Sequence, residues 1–250
     1  MHEVKLKFIG TSDTAGTPVY GCNCTACSMY RESGRVNGPS CAYIDFGESV
    51  IFIDSGSDLL LKIREGKKFI AQFLTHFHAD HAYGLLRLRH MAASVPCYHP
   101  KDERGFADVL QRPHGFRFIE NRPFESIIIQ NIEFIPVPLV HTRPTHGYII
   151  KTPNKSIAYL TDCSDIEKQS LEFLKEQRLD CVFIDASYDI VYDEGKHLNF
   201  DKANKMINKI GAKEGFLIHQ SHYSLSYILK HKIKLKYPYI FEGFEYKLSQ

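Results

Sequence analysis

No apolar run in this chain approaches the ~18 residues of a membrane-spanning helix, so no membrane partner is expected. No amino-terminal export signal is visible: Glu3-Val4-Lys5-Leu6-Lys7-Phe8 alternates polar and apolar residues and reads as a strand. Neither sign of charge dominates. The net charge of +2 is too small to imply a nucleic-acid partner. The basic runs Lys230-His231-Lys232 and Lys234-Leu235-Lys236 read as the coat of a helix end or strand. The seven cysteines are an odd number, which argues against a complete disulfide framework. With no export signal they point to a reducing compartment, so a cytoplasmic location is expected. No internal repeat, low-complexity tract or linker divides the 250 residues, and a single domain over residues 1–250 is expected. A chain of this length can bury a core without disulfide staples.

Short strand-like runs alternate with helical ones. The strand candidates are Val4–Ile9, Cys41–Phe46, Val50–Asp54, Phe69–Thr75, Ile127–Pro138, Gly147–Lys151, Ser156–Thr161, Cys181–Asp185 and Gly215–Ile218. The helix candidates are Ser57–Arg64, His81–Ala92, Ile166–Gln177 and Phe200–Ile210, the last opening after Asn199 as N-cap. Hairpin-like pairs fill the first half, and strands alternate with helices in the second. An α/β (α+β) fold satisfies both: a four-layer αββα sandwich of two mixed β-sheets flanked by helices.

The chemistry is concentrated in His76-Phe77-His78-Ala79-Asp80-His81. Four of these six side chains can hold a divalent ion. Four fixed positions of this kind arise by chance roughly once in 500 chains of this length, which disfavours an ordinary polar loop. The run sits where the strand-like Phe69–Thr75 hands over to a helical pattern, a usual place for a ligand in an open α/β sheet. Three distant residues share this placement. His141, Asp162 and His219 each follow a mostly apolar strand candidate. Together these residues supply five histidines and two aspartates, enough for two ions bridged by one carboxylate.

This pattern resembles the metallo-β-lactamase fold superfamily. The resemblance implies that His76, His78 and His141 hold one metal, that Asp80, His81 and His219 hold the other, and that Asp162 bridges. Asp54 matches the family's early strand-end aspartate, with a supporting role toward the histidines. It also reads as a turn residue beside Ser55-Gly56.

A second cluster narrows the resemblance. Cys22, Cys24 and Cys27 lie within six residues, a spacing suited to a structural Zn²⁺, with His222 the best fourth ligand. Cys41, Cys97, Cys163 and Cys181 lie in or beside apolar stretches and read as core. Gly21-Cys22-Asn23-Cys24-Thr25-Ala26-Cys27, with His219-Gln220-Ser221-His222, resembles the PhnP family of phosphodiesterases over nearly the full length. That resemblance implies opening of 5-phosphoribosyl 1,2-cyclic phosphate to ribose 1,5-bisphosphate by a metal-bridged hydroxide. It also implies two divalent ions, Mn²⁺ or Zn²⁺, in the active site and one structural Zn²⁺. His197, as general acid, and Asp80 are then the catalytic candidates. Arg143 and Lys196 are the candidates for binding a second phosphate. The expected partners are a small phosphorylated sugar and a second copy of the chain in a homodimer. Hydrolysis of another phosphodiester, a thioester or a lactone is the alternative, and a non-catalytic metal-binding protein of cofactor biosynthesis is a third reading.

Overall fold

Alternation at the amino terminus builds β1 (Lys5–Gly10), which buries Leu6 and Phe8 and leaves Lys5 and Lys7 half-buried. The computed structural model describes residues 3–57, 60, 66–112, 114–192 and 194–249. In it, β1 pairs antiparallel with β2 (Cys41–Asp45), and β2 pairs with β3 (Ser49–Ile53) as the expected hairpin. Parallel strands β4 (Lys68–Phe73), β5 (Val95–His99) and β6 (Phe116–Glu120) extend this sheet. A short β13 (Glu245–Lys247) closes its other edge beside β1. The second sheet runs β12 (Glu214–Ile218), β11 (Cys181–Asp185), β10 (Ser156–Leu160), β9 (Thr145–Lys151), β8 (Ile132–Leu139) and β7 (Ile127–Ile129). Its β10, β11 and β12 are parallel and the rest antiparallel, so both sheets are mixed.

The two sheets face each other across a core that includes Leu6, Ile51, Phe73, Phe134, Tyr159 and Phe183. Phe73 stacks on Phe134 with ring centroids 4.0 Å apart. Each such side chain contributes about 1.5–3 kcal/mol by burial. The contact also ties the strand leading to His76 onto the opposite sheet. Helices cover the outer faces. Leu60, α2 (Ala79–Ala82), α3 (Gly84–Leu88) and α4 (Ala107–Leu110) lie on the first sheet. On the second lie α1 (Thr25–Ser33), α5 (Lys168–Glu176), α6 (Phe200–Ile210) and α7 (His222–His231). This is the expected αββα sandwich. Asn199 caps α6 by accepting from the Lys202 N–H at 2.8 Å. No helix among the described residues is long and apolar enough to cross a membrane.

Several expectations shift. The strand expected over Ile127–Pro138 is two strands, folded at Gln130 and Asn131, whose φ angles of 53° and 64° make a two-residue hairpin turn. The helix expected over His81–Ala92 begins earlier, at Ala79, and is broken into two at Tyr83. The helix expected over Ser57–Arg64 lies largely outside the described residues.

Candidate metal centre and cysteine site

The metal-ligand candidates gather because strands of both sheets end at one edge. Asp54 follows β3 and His76–His81 follows β4, while Asp162 and His219 follow β10 and β12 of the second sheet. The ligand loop packs directly on the end of β3. A Cβ on Gly56 would lie 1.8 Å from the Asp80 carbonyl oxygen, so only glycine fits there. The sequence admitted a turn aspartate at Asp54, but the structure places its carboxylate inside the site, fully buried. Asp54 adopts φ 59°, an uncommon conformation for a non-glycine residue. Its carboxylate accepts from the Thr75 N–H at 2.8 Å and from the Thr75 hydroxyl at 3.0 Å, and lies 2.8 Å from His81 Nδ1. The Thr75 hydroxyl also lies 3.0 Å from His76 Nδ1. One buried carboxylate thus orients two histidines, one directly and one through a hydroxyl. From β9, the Tyr148 hydroxyl donates to the Leu74 carbonyl at 2.6 Å and the His146 N–H donates to the Thr75 carbonyl at 2.9 Å. Asp54→Asn is expected to weaken metal binding about 10–100-fold. Titration against a chromogenic chelator measures this, and an unchanged affinity would remove the supporting role.

Three donor groups form here among the described residues: two match the expected ligand sets, and a third joins Asp162 and His219 to Asp185 and His197. In the first, His76 Nε2 and His78 Nδ1 are 2.9 Å apart, and His78 Nδ1 and His141 Nε2 are 3.2 Å apart. Asp162 Oδ2 lies 3.8 Å from both His76 Nε2 and His141 Nε2. In the second, His81 Nε2 is 3.5 Å from Asp80 Oδ2 and 3.3 Å from Asp162 Oδ2. His219 Nε2 is 3.8 Å from Asp80 Oδ2 and 3.2 Å from Asp162 Oδ1. A tetrahedral zinc with bonds of roughly 2.0–2.1 Å has donors about 3.3 Å apart, so both groups could hold an ion of that size. Two further observations fit a cation. The buried His81 Nε2 and His219 Nε2 have no hydrogen-bond partner among the described residues. The far nitrogen of His141 lies 3.1 Å from the Lys196 carbonyl oxygen, a contact that sets the ring for ligation.

The electrostatics divide along the same line. Burial, then the neighbouring His81, pushes His76 well below the usual imidazole range. Burial, then His141, brings His78 down to about 4. Both are therefore neutral, as a metal ligand must be. In the second group burial acts against charge but the carboxylates prevail. Asp162 and Asp80 raise His219 to about 9, and Asp162 raises His81 well above its ordinary value. Asp162, although buried, is held ionised by His219 and His81. The carboxylates that favour protons on His81 and His219 would favour a divalent cation in their place, bound with release of those protons.

A cavity of about 420 Å³ opens over these groups and is lined in part by Asp13, Tyr188, Lys196 and His197. His197 Nδ1 lies 2.7 Å from Asp185 Oδ2. Asp185 is itself held by the Cys163 and Ser187 N–H groups, each at 2.9 Å. Burial disfavours the charged form of His197, but Asp185 raises its pKa above the ordinary value. Asp185 was read only as the end of a strand. Its signal was the one shared by Asp162, an apolar strand closing on an acid. Lys196 lines the cavity, with Nζ 2.9 Å from the exposed Glu194 carboxylate. Arg143 departs from its expected place as a phosphate ligand. Its guanidinium pairs with Asp102 at 2.7 Å and donates to the carbonyls of Phe77 and Gly105 at 2.9 and 3.1 Å. These bonds direct Arg143 to bracing the ligand loop from behind.

The cysteine cluster meets α7. Cys22, Cys24 and Cys27 Sγ lie 3.4, 3.4 and 3.5 Å from His222 Nδ1. Zinc bonds of about 2.3 Å to sulfur and 2.0–2.1 Å to nitrogen place such atoms roughly 3.5–3.6 Å apart, so the four could hold zinc. Burial opposes it, but hydrogen bonds from Ser226 and the Cys27 N–H bring the Cys24 thiol down to about 6. The remaining cysteines are buried, as expected.

The chain matches the beta-lactamase superfamily domain over residues 51–220. It is similar to a crystal structure described as a new diphosphatase from the PhnP family, with 28% identity and a TM-score of 0.81 over 100% of this chain and 99% of that one. Zn²⁺-bound PqqB from Methylobacterium extorquens aligns at a TM-score of 0.75 and 15% identity over 97% of this chain and 99% of its own. Human tRNase Z, short form, aligns at a TM-score of 0.66 and 15% identity over 98% of this chain and 100% of its own. These last two share the fold. No curated protein sequence matches the chain. The family match spans most of the chain, and the donor groups lie at the edge where its strands end. The chain therefore belongs to the beta-lactamase superfamily, as a PhnP-like metal-dependent hydrolase.

Proposed function

We propose that the chain is a two-metal phosphodiesterase that opens 5-phosphoribosyl 1,2-cyclic phosphate to ribose 1,5-bisphosphate. The observation that carries this reading is Asp162, a single carboxylate shared by the first and second donor groups. Groups that share one carboxylate could hold a pair of ions, the arrangement that two-ion chemistry at phosphorus uses. His76, His78 and His141 would hold one ion and Asp80, His81 and His219 the other. Cys22, Cys24, Cys27 and His222 would hold a structural zinc. Bound there, the active-site ions supply Lewis acidity toward the phosphoryl oxygens and activate water near neutral pH.

The chain's own residues do the rest. His197 lines the cavity with its ring 5.0 Å from that of His141. It is placed to hand a proton to the departing sugar oxygen while Asp185 holds its ring and stabilises its charged form. Lys196 offers the cation for a second phosphate. A PhnP-family diphosphatase and a tRNase Z among the structural neighbours support phosphoester chemistry.

The direct test is release of ribose 1,5-bisphosphate from the cyclic phosphate by metal-loaded protein. No release, alongside turnover of a thioester or lactone, would sink the reading. His197→Ala is expected to slow ring opening of the cyclic phosphate about 10²–10⁴-fold, as loss of a general acid does. The same variant should cost far less with a p-nitrophenyl diester, whose leaving group needs no proton. Equal losses on both substrates would remove His197 as the acid.

A further inference from the structure

One carboxylate in the cavity wall has no part in this reading. Asp13 lines the cavity beside the second donor group, yet it belongs to none of the metal-donor groups among the described residues. Its backbone is firmly placed. The Asp13 N–H donates to the Gln220 carbonyl at 3.2 Å, and the Ser12 hydroxyl donates to the same carbonyl at 2.9 Å. The Gln220 N–H donates back to the Thr11 carbonyl at 3.1 Å. The loop bearing Asp13 is therefore laced to the residue that follows His219. The carboxylate receives a hydrogen bond on Oδ1 from the Ala15 N–H at 3.2 Å, and the Ser12 hydroxyl, whose proton goes to the closer Gln220 carbonyl, lies 3.4 Å from the same oxygen. Oδ2 has none among the described residues. Burial raises the pKa of this group, and the nearby histidines His219 and His222 oppose that rise.

A carboxylate with a spare acceptor is a poor neighbour for a phosphate, because like charges repel. It is a good neighbour for a hydroxyl, as when an acidic side chain holds a ribose hydroxyl in a dinucleotide site. The cavity thus has a polarity. Lys196, whose carbonyl meets His141 and whose Nζ pairs with Glu194, lines the cavity by the first donor group, and Asp13 lines it by the second. We propose that Asp13 is a specificity-determining residue, which accepts hydrogen bonds from the sugar hydroxyls of a substrate whose phosphodiester lies on the metal groups. This deepens the phosphodiesterase reading and rests on it for the identity of the reacting group. It assigns the wall at Asp13 to hydroxyls and leaves any second phosphate to the Lys196 side.

The test pairs binding with turnover in metal-loaded wild-type protein, Asp13→Ala and Asp13→Asn. Calorimetry measures ribose 5-phosphate against inorganic phosphate. A hydrogen bond to a charged group implies that Asp13→Ala lowers the preference for ribose 5-phosphate about 10–100-fold, with Asp13→Asn between it and wild type. The ratio of kcat/KM for the ribosyl cyclic phosphate over bis(p-nitrophenyl) phosphate, which has no hydroxyl, should fall by a similar factor. Parallel losses for both ligands would show a merely structural role and overturn the proposal. So would a preference unchanged in Asp13→Ala. If wild-type protein cleaves neither diester, the phosphodiesterase reading fails, while the binding preference still decides the role of Asp13.

Discussion

Asp162→Ala is expected to reduce turnover at least about a thousandfold and to leave one metal ion per chain, held by the cysteines. Asp162 is the only side chain common to all three active-site donor groups among the described residues, the third being Asp162 with Asp185, His197 and His219. Removing it takes a donor from each. Four neighbouring histidines lie within 3.8 Å of its carboxylate oxygens. A second carboxylate, Asp80, stands only by the second group and cannot replace it in the first. A loss of about 4 kcal/mol in transition-state stabilisation corresponds to roughly a thousandfold in rate. Elemental analysis of the purified variant, read beside kcat, separates loss of metal from loss of chemistry. A variant that keeps both active-site ions and turns over within about tenfold of wild type, a deficit near 1.4 kcal/mol, would defeat the two-ion assignment.

Cys24→Ala is expected to have the largest effect on stability. Cys24 is the N-cap residue of α1, and the four thiol and imidazole donors join that helix to the first turn of α7, almost 200 residues later. Without the cluster, α1 keeps only a small buried face, formed by Ala26, Cys27 and Tyr30. Loss of a structural metal is among the few single changes that cost on the order of 4 kcal/mol. For a chain of this length that lowers Tm by roughly 8–16 °C. Calorimetry with zinc supplied in excess measures the shift. A Tm within about 2 °C of wild type, under 1 kcal/mol, would show that the cluster does not hold the two helices together. The active site should feel the loss as well, because His219 is three residues before His222 and Ser221 between them caps α7.

The metal-ligand candidates were legible because each is a chemically distinctive side chain closing an apolar strand. His141, Asp162 and His219 could be matched to the His76–His81 run without knowing how the strands pair. Asp185 carries the same mark, but its value depends on β10 and β11 lying parallel, with Leu160 beside Ile184, which no local pattern states. The helices α1 and α7 were hidden for a related reason. Their buried positions are taken by Cys27 and His222, so the apolar stripe that announces a helix is interrupted by ligands. The charge of Arg143 suggests a phosphate ligand. What decides its role is Asp102, 41 residues earlier, and the two carbonyls that complete its shell. The hairpin at Gln130 and Asn131 was missed because isoleucines flank both sides of the turn and read as one continuous strand.

The order in which the chain supplies its donors has a kinetic consequence. They run from residue 76 to residue 219 and come from strand ends in both sheets. No hairpin or βα unit assembles the site by itself, and long-range pairings of this kind form late in folding. Ions held by these donors would therefore find their place only after the two sheets have docked. Stabilisation that arrives after the rate-limiting step leaves the refolding rate nearly unchanged and appears as slower unfolding. For this protein bound ions would act less as a seed for folding than as a lock on the finished state.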